Sequence, residues 1–408
     1  MKNEPTPALT PKLRFPEFRD AKGWDADALG DVADFVNEKI PLERVALENY
    51  VSTENILPNY GGVAKASKLP TTGSVTRYKP NDTLVSNIRP YLKKVWVADK
   101  EGGASNDVIV IRAKQSLLPQ YFSCLLKNDA FINYVMTGAK GVKMPRGDVG
   151  SMKTYPTLYP SKAEQQKIAE CLSSVDELIA AQARKVDALK THKKGLMQQL
   201  FPREGETQPR LRFPEFQAAG EWVPRTLGSV CSSFSGGTPS TSQPEYYGGD
   251  IPFIRSAEIG REKTELFLTS AGLTNSASKI VAKGDVLVAL YGANSGDVAL
   301  ARIDGAINQA ILCLKSKESN GFIFQFLSFK KDWVVATYLQ GGQGNLSGEI
   351  VKSISVCFPS PDEQQRIADS LTSLDDLLAA QTQKLAALKT HKKGLMQQLF
   401  PSPAEVEA

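Results

Sequence analysis

The chain has 408 residues, 41% of them hydrophobic and 23% charged, and a formal net charge of +5. That length accommodates two or three domains with sizeable cores, and the mildly basic balance permits nucleic-acid binding without demanding it. Five dispersed cysteines (Cys124, Cys171, Cys231, Cys313, Cys357), no CxxC pair and only two histidines argue against zinc and for reduced thiols in the cytoplasm. The opening MKNEPTPALTPK has no apolar core and no stretch approaches 18 apolar residues, so secretion and membrane spanning are disfavoured.

In chain order, the first distinctive element is Pro11–Phe18, PKLRFPEF, followed by Trp24 and Leu29-Gly30. Next come Asn81-Asp82 before the apolar run Thr83–Ile88, and Ala104-Ser105-Asn106 before Val108–Arg112. β-Branched runs bounded by Gly, Asn, Asp and Pro predict short strands. A glycine-rich loop, Gly138–Gly150, closes this first globule.

Pro160–Pro202 then predicts a long helix. Ser161 stands before Glu164-Gln165-Gln166, close to a capping box. A heptad seam runs through Ile168, Leu172, Val175, Ile179, Gln182, Val186, Leu189, Lys193, Leu196 and Leu200. Its sustained apolar a/d pattern is a coiled-coil signal, and Gly195 is a candidate site for a bend.

Everything then returns. PRLRFPEF at Pro209–Phe216, Trp222 and Leu227-Gly228 repeat the leader. Gly284-Asp285 before Val286–Tyr291, and Ala306-Ile307-Asn308 before Ala310–Leu314, answer the strand punctuation, and Gly341–Gly348 answers the loop. Pro359–Pro401 matches Pro160–Pro202 at about 30 of 43 positions, and ALKTHKKGLMQQLFP is unchanged between the two. The second seam is Ile367, Leu371, Leu374, Leu378, Gln381, Leu385, Leu388, Lys392, Leu395 and Leu399, with Gly394 matching Gly195.

The chain is therefore one unit of roughly 200 residues written twice, too few copies for a solenoid. The expected fold class is α+β: two mixed α/β globules separated by two long helices in an antiparallel coiled coil, an internal duplication about a pseudo-twofold. That arrangement would bring Gln182 and Gln381 together at mid-helix; the plainer alternative turns each to solvent. Expected boundaries are 1–158, 159–202, 203–357 and 358–401, with a tail at 402–408.

Catalytic signatures are missing from the sequence. It has no G-x-x-x-x-G-K-[ST] phosphate loop, no [DN]-P-P-[FY] of amino-methyltransferases, no G-x-G-x-x-G after a strand and no E-x-K triplet. His192 and His391 are repeat equivalents in basic helix ends and read as solvated or interface residues rather than bases. Binding features remain. Arg89, Lys93 and Lys94 cluster in NIRPYLKK, and Lys140, Lys143 and Arg146 in GAKGVKMPRGD. Basic, glycine-containing loops suit phosphate contact and base-edge reading. The second globule offers uncharged candidates: Thr238, Ser240 and Gln243; Tyr291 and Asn294; and Gln343, Asn345 and Ser347 in GGQGNLSGE. Each cluster is otherwise a solvated loop.

The duplicated leaders, the helix ends KKGLMQQLFP, and the segments PSKAEQQKIAE, PSPDEQQRIAD, FSGGTPSTSQPEYYGGDIPFI, GDVLVALYGANSGD and INQAILCLK resemble the DNA-specificity subunit of type I restriction–modification systems. SNIRPYLKK and SNDVIVIR carry the likeness in the first globule. The resemblance implies a non-catalytic chain whose globules are target recognition domains, each for one half of a split, asymmetric double-stranded DNA site. It implies two methylation subunits docked on the conserved helices, two restriction subunits joining them, and S-adenosylmethionine, ATP and magnesium used by those partners. Leu172, Ile179, Gln182, Leu189, Leu196, Leu200, Leu371, Leu378, Gln381, Leu388, Leu395 and Leu399 are the expected coiled-coil and docking positions. A coiled-coil scaffold whose globules bind proteins is the competing expectation.

Overall fold

The computed structural model describes residues 10–338 and 345–401. The chain divides into two compact units, Met1–Gln182 with Lys384–Ala408, and Ala183–Gln383. Each long helix thus gives one half to each unit.

The two globules share a skeleton. In the first, a four-stranded antiparallel sheet runs Ala33–Phe35, Val108–Ala113, Thr83–Ser86, Val95–Val97. In the second, Cys231–Ser235, Ile311–Ser316, Val286–Ala289 and Val298–Leu300 follow the same order. The inner strands Thr83–Ser86 and Val286–Ala289 are buried along their whole length. Each starts from the same turn, in which Asn81 (φ 71°) or Gly284 (φ 91°) takes the left-handed conformation open to Asn and Gly. The next carboxylate, Asp82 or Asp285, accepts the N–H of Lys79 or Ala282 at 2.8 Å. Asp82 also receives a bidentate Arg112, both contacts 2.7 Å, whereas Asp285 meets Lys315 at 3.3 Å. Burial, reinforced by Asp285, pushes the Cys313 thiol up to about 12.

The ladder corrects one sequence match. Ser86 pairs with Val108 and Ala289 with Ile311, so Asn106 corresponds to Gln309, not Asn308. A one-residue slip exchanges the faces of a strand, and the shared asparagine had concealed it.

A second sheet carries the difference between globules. Its common part is Tyr50–Val51, Gly102–Ala104, Ser74–Tyr78 in the first, matched by Tyr247–Ile254, Gly305–Ile307, Lys279–Val281 in the second. The fourth strand lies on opposite edges: Lys39–Pro41 beside Ser74–Tyr78, but Leu266–Leu268 beside Tyr247–Ile254. Helices Pro119–Leu126 and Asp129–Thr137 in the first globule, and Asn320–Tyr338 in the second, were not singled out in the sequence. Asn128 caps the second of the first pair by accepting the Ala130 N–H.

The long helices, Lys162–Leu200 and Pro361–Leu399, run through Gly195 and Gly394 without interruption. Half of the expected capping box forms, with Ser161 and Ser360 accepting from Glu164 N and Glu363 N at 3.4 Å. The glutamates turn instead to the leaders. Glu164 holds Arg14 at 2.7 and 2.8 Å, and Glu363 holds Arg212 with both contacts at 2.7 Å. Each guanidinium also donates to two carbonyls of its own leader. Gln165 and Gln364 accept the N–H of Leu118 and Ser319, tying helix start to globule.

Every seam position is buried or half-buried, Gln182 buried and Gln381 half-buried. In the first unit, Lys392 donates to Asp176 at 2.6 and 2.7 Å, and Phe400 joins the core beside Trp24 and Tyr121. In the second unit, Lys193 pairs with Asp375, and Phe201 packs among Phe322, Phe326 and Phe329 at 5.5 to 5.6 Å. Within both units the two helical segments are antiparallel. The polar seam lysines Lys193 and Lys392 are cross-helix ion-pair donors.

Candidate nucleic-acid interface

In the first globule the chain leaves Thr83–Ser86 and is caught on both sides. Asn87 N donates to Asp107 O at 2.8 Å, and Gly147 N donates to Asn87 O at 3.1 Å. In the second, Leu290 N donates to Ala310 O at 2.8 Å, and Leu346 N to Leu290 O at 2.9 Å. Skeleton and connection are the same; the side chains carried there are not.

The first globule gathers cations at this end. Arg89 N donates to Pro145 O, and Lys140 and Arg146 exchange backbone hydrogen bonds, both 2.9 Å, across a turn. Arg146 Nη2 pairs with Asp107 at 2.8 Å and Lys140 Nζ lies 3.8 Å from Asp148. Lys143 is exposed and has no ion-pair partner among the described residues. Lys93 and Lys94 hold the loop itself: Lys93 Nζ lies 2.5 Å from Asp129, and Lys94 Nζ donates to Thr53 O at 2.6 Å.

This segment is also strained. Arg89 and Lys93 are left-handed (φ 52° and 53°), as are Asn59 and Tyr60, whose N–H groups donate to Leu92 and Lys93. These are four of the five positive-φ non-glycine residues among those described. Such conformations cost free energy and gather at functional surfaces. Arg89 Nε and the Tyr60 hydroxyl are buried without partners, and burial raises the Tyr60 pKa. Nothing in the sequence connects Asn59 and Tyr60 to the Arg89–Lys93 segment; the backbone hydrogen bonds do.

The second globule assembles polar, uncharged groups. Thr238 Oγ1 donates to Gln309 Oε1 at 2.6 Å, beside the Ala310–Leu290–Leu346 connection that brings in Tyr291, Asn345 and Ser347. Gly236 allows this approach, since a Cβ there would lie 1.8 Å from Ile307 O. Ser240 pairs with Ser242 at 2.7 Å, Gln243 is exposed, and Asn294 ends the turn Gly292–Asn294. Ser347 caps the helix Gly348–Ser353 by accepting Ile350 N–H. Gln343 lies outside the described residues. Gln309 was missed; its counterpart Asn106, accepting from Lys39 Nζ at 2.7 Å, occupies the same ladder position. An exposed amide directly before an apolar strand is the signal that could have found both.

Among the described residues no helix is long and apolar enough to cross a membrane, and no group of three His, Cys, Asp or Glu could hold a metal. The first end offers charge and hydrogen bonding, the second uncharged hydrogen-bonding groups, each at the end of a four-stranded sheet.

The type I restriction modification DNA specificity domain matches this chain twice, over residues 21–191 and 219–390. The chain belongs to that family. It is 27% identical over 303 residues to the MjaX type I restriction enzyme specificity subunit of Methanocaldococcus jannaschii, covering 72% of this chain and 66% of that one. It is 23% identical over 421 residues to the MjaVIII specificity subunit of the same organism, covering 97% and 95%. The solved type I system S subunit from M. genitalium superimposes with a TM-score of 0.63 at 16% identity, covering 96% of this chain and 99% of that one. The two curated relatives are named as specificity subunits.

Proposed function

We propose that the chain reads a split, asymmetric double-stranded DNA site, one half per globule, and directs adenine methylation or cleavage by partner subunits. The observation that supports this reading is the matched pair of strand-end connections, Asn87–Asp107–Gly147 and Leu290–Ala310–Leu346, each presenting a different set of side chains. In the first globule, Arg89, Lys140, Lys143 and Arg146 supply phosphate and guanine contacts, while the internally paired Lys93 and Lys94 hold the loop that carries them. In the second, Thr238, Ser240, Gln243, Tyr291, Asn294, Gln343, Asn345 and Ser347 supply uncharged contacts. Asn106 and Gln309 are the equivalent amides suited to adenine.

The two helices set the separation of the half-sites, so the gap between them has a fixed length. Two methylation subunits dock on the conserved regions through seam-flanking surfaces, and two restriction subunits complete the enzyme in the cytoplasm. Those partners carry S-adenosylmethionine, ATP and magnesium; this chain carries none. Leu200 and Leu399 are already enclosed in globule cores, so docking falls on more exposed helix positions. The test is selection from randomised duplexes by the complex of this chain with its methylation subunit. A two-part motif with a constant gap is expected; recovery of no motif overturns the reading and favours a protein-binding scaffold.

A further inference from the structure

The turn between Lys140 and Arg146 has a composition that phosphate contact alone does not explain. Its tip carries Val142 and Met144, with relative exposures of 102% and 55%, the former the highest among the exposed large hydrophobics described. An isolated exposed apolar residue is ordinary. Two of them here share the tip of a paired turn, with Lys140, Lys143 and Arg146 interleaved around them.

The turn is also rooted. Its base is closed by the two Lys140–Arg146 backbone bonds, and Pro145 O is held by Arg89 N at 2.8 Å. Arg146 is tied to Asp107 and Gly147 to Asn87, while Gly141, at φ 93°, makes the reversal. A firmly based projection with apolar side chains at its end and cations around them is built to meet a surface that is anionic at its rims and apolar at a point inside. Duplex DNA is such a surface. A projecting turn closed by one backbone bridge can enter the major groove, about 12 Å wide, more readily than the minor groove of about 6 Å. The apolar group that bases display in the major groove is the C5-methyl of thymine.

We infer that Val142 and Met144 are sequence-reading residues that contact thymine C5-methyl groups in the major groove of the half-site read by the first globule. The inference rests on the DNA-reading function proposed above. Lys143, with Lys140 and Arg146, seats the turn on flanking phosphates, and the two apolar side chains add selectivity that charge cannot supply.

The experiment uses the full chain in complex with its methylation subunit and the duplex motif recovered by selection. Each thymine is replaced singly by deoxyuridine, which removes only the methyl group. Loss of one buried methyl contact lowers affinity about fourfold, so at least one thymine in the first globule's half-site should show that drop. The surface variant Val142→Ser/Met144→Ser should bind thymine and deoxyuridine duplexes alike at that position. It should retain the response of the other half-site and assemble normally with the methylation subunit. The inference is overturned if no thymine in that half-site responds, if the variant keeps the full methyl response, or if the variant fails instead in subunit assembly. A complex with no sequence preference in either half would refute the DNA-reading function itself, a result distinguishable from these.

Discussion

The two globules are built on one sheet, yet they differ in how they hold it and in what they offer at its end. The first anchors its central turn with a bidentate Arg112–Asp82 pair, the second with a single Lys315 contact to Asp285. The first presents cations on a strained loop and the second presents hydroxyls and amides. Their fourth strands sit on opposite edges. Backbone connections at the sheet end are meanwhile conserved to within 0.2 Å in hydrogen-bond length, 2.8 and 3.1 Å against 2.8 and 2.9 Å. The shared skeleton and the side chains it carries are thus separable: one backbone arrangement holds two different sets of groups.

That comparison can be broken where the globules should behave alike. Arg14→Ala and Arg212→Ala each strand a buried glutamate at a helix start, and each should cost its own unit about 3 kcal/mol. Hydrogen exchange resolved by segment reads both; losses differing by more than about 1 kcal/mol would contradict equivalent clamps. It can be sharpened where they should differ. Both substitutions remove the same turn hydrogen bond; Asp82→Ala also removes the bidentate pair, for about 2 kcal/mol in all, whereas Asp285→Ala also removes one 3.3 Å contact, for about 1 kcal/mol in all. Denaturant unfolding gives both values, and a reversed order would undo the assignment of the stronger anchor to the first globule. The smallest effect is expected from Lys143→Ala. It should reduce the slope of log affinity against log salt by about 1 and leave the preferred sequence unchanged. An altered preference would make Lys143 a base-reading residue instead.

Much of this architecture was legible because the chain repeats itself. The seam through Ile168, Leu172 and Val175 declared the helix, and Asn81-Asp82 against Gly284-Asp285 located the same turn in two diverged globules. What stayed hidden required distance in sequence to become distance in space. Phe201 and Phe400 looked like helix ends but fill globule cores, since a heptad pattern does not say what lies beyond its last turn. Glu164 looked like a cap and proved to be the partner of Arg14, 150 residues away. Lys193 and Lys392 broke the apolar pattern for a reason visible only once Asp375 and Asp176 were placed opposite them. The basic loops were found by composition; Asn106, Gln309, Asn59 and Tyr60 needed the ladder and the backbone angles.

The most direct test of the separable-globule account is exchange of residues 25–157 for the same span of a related subunit, followed by site selection with the assembled complex. The account predicts a motif in which one half changes while the other half and the gap length stay as they were. A change in both halves, or in neither, would contradict it.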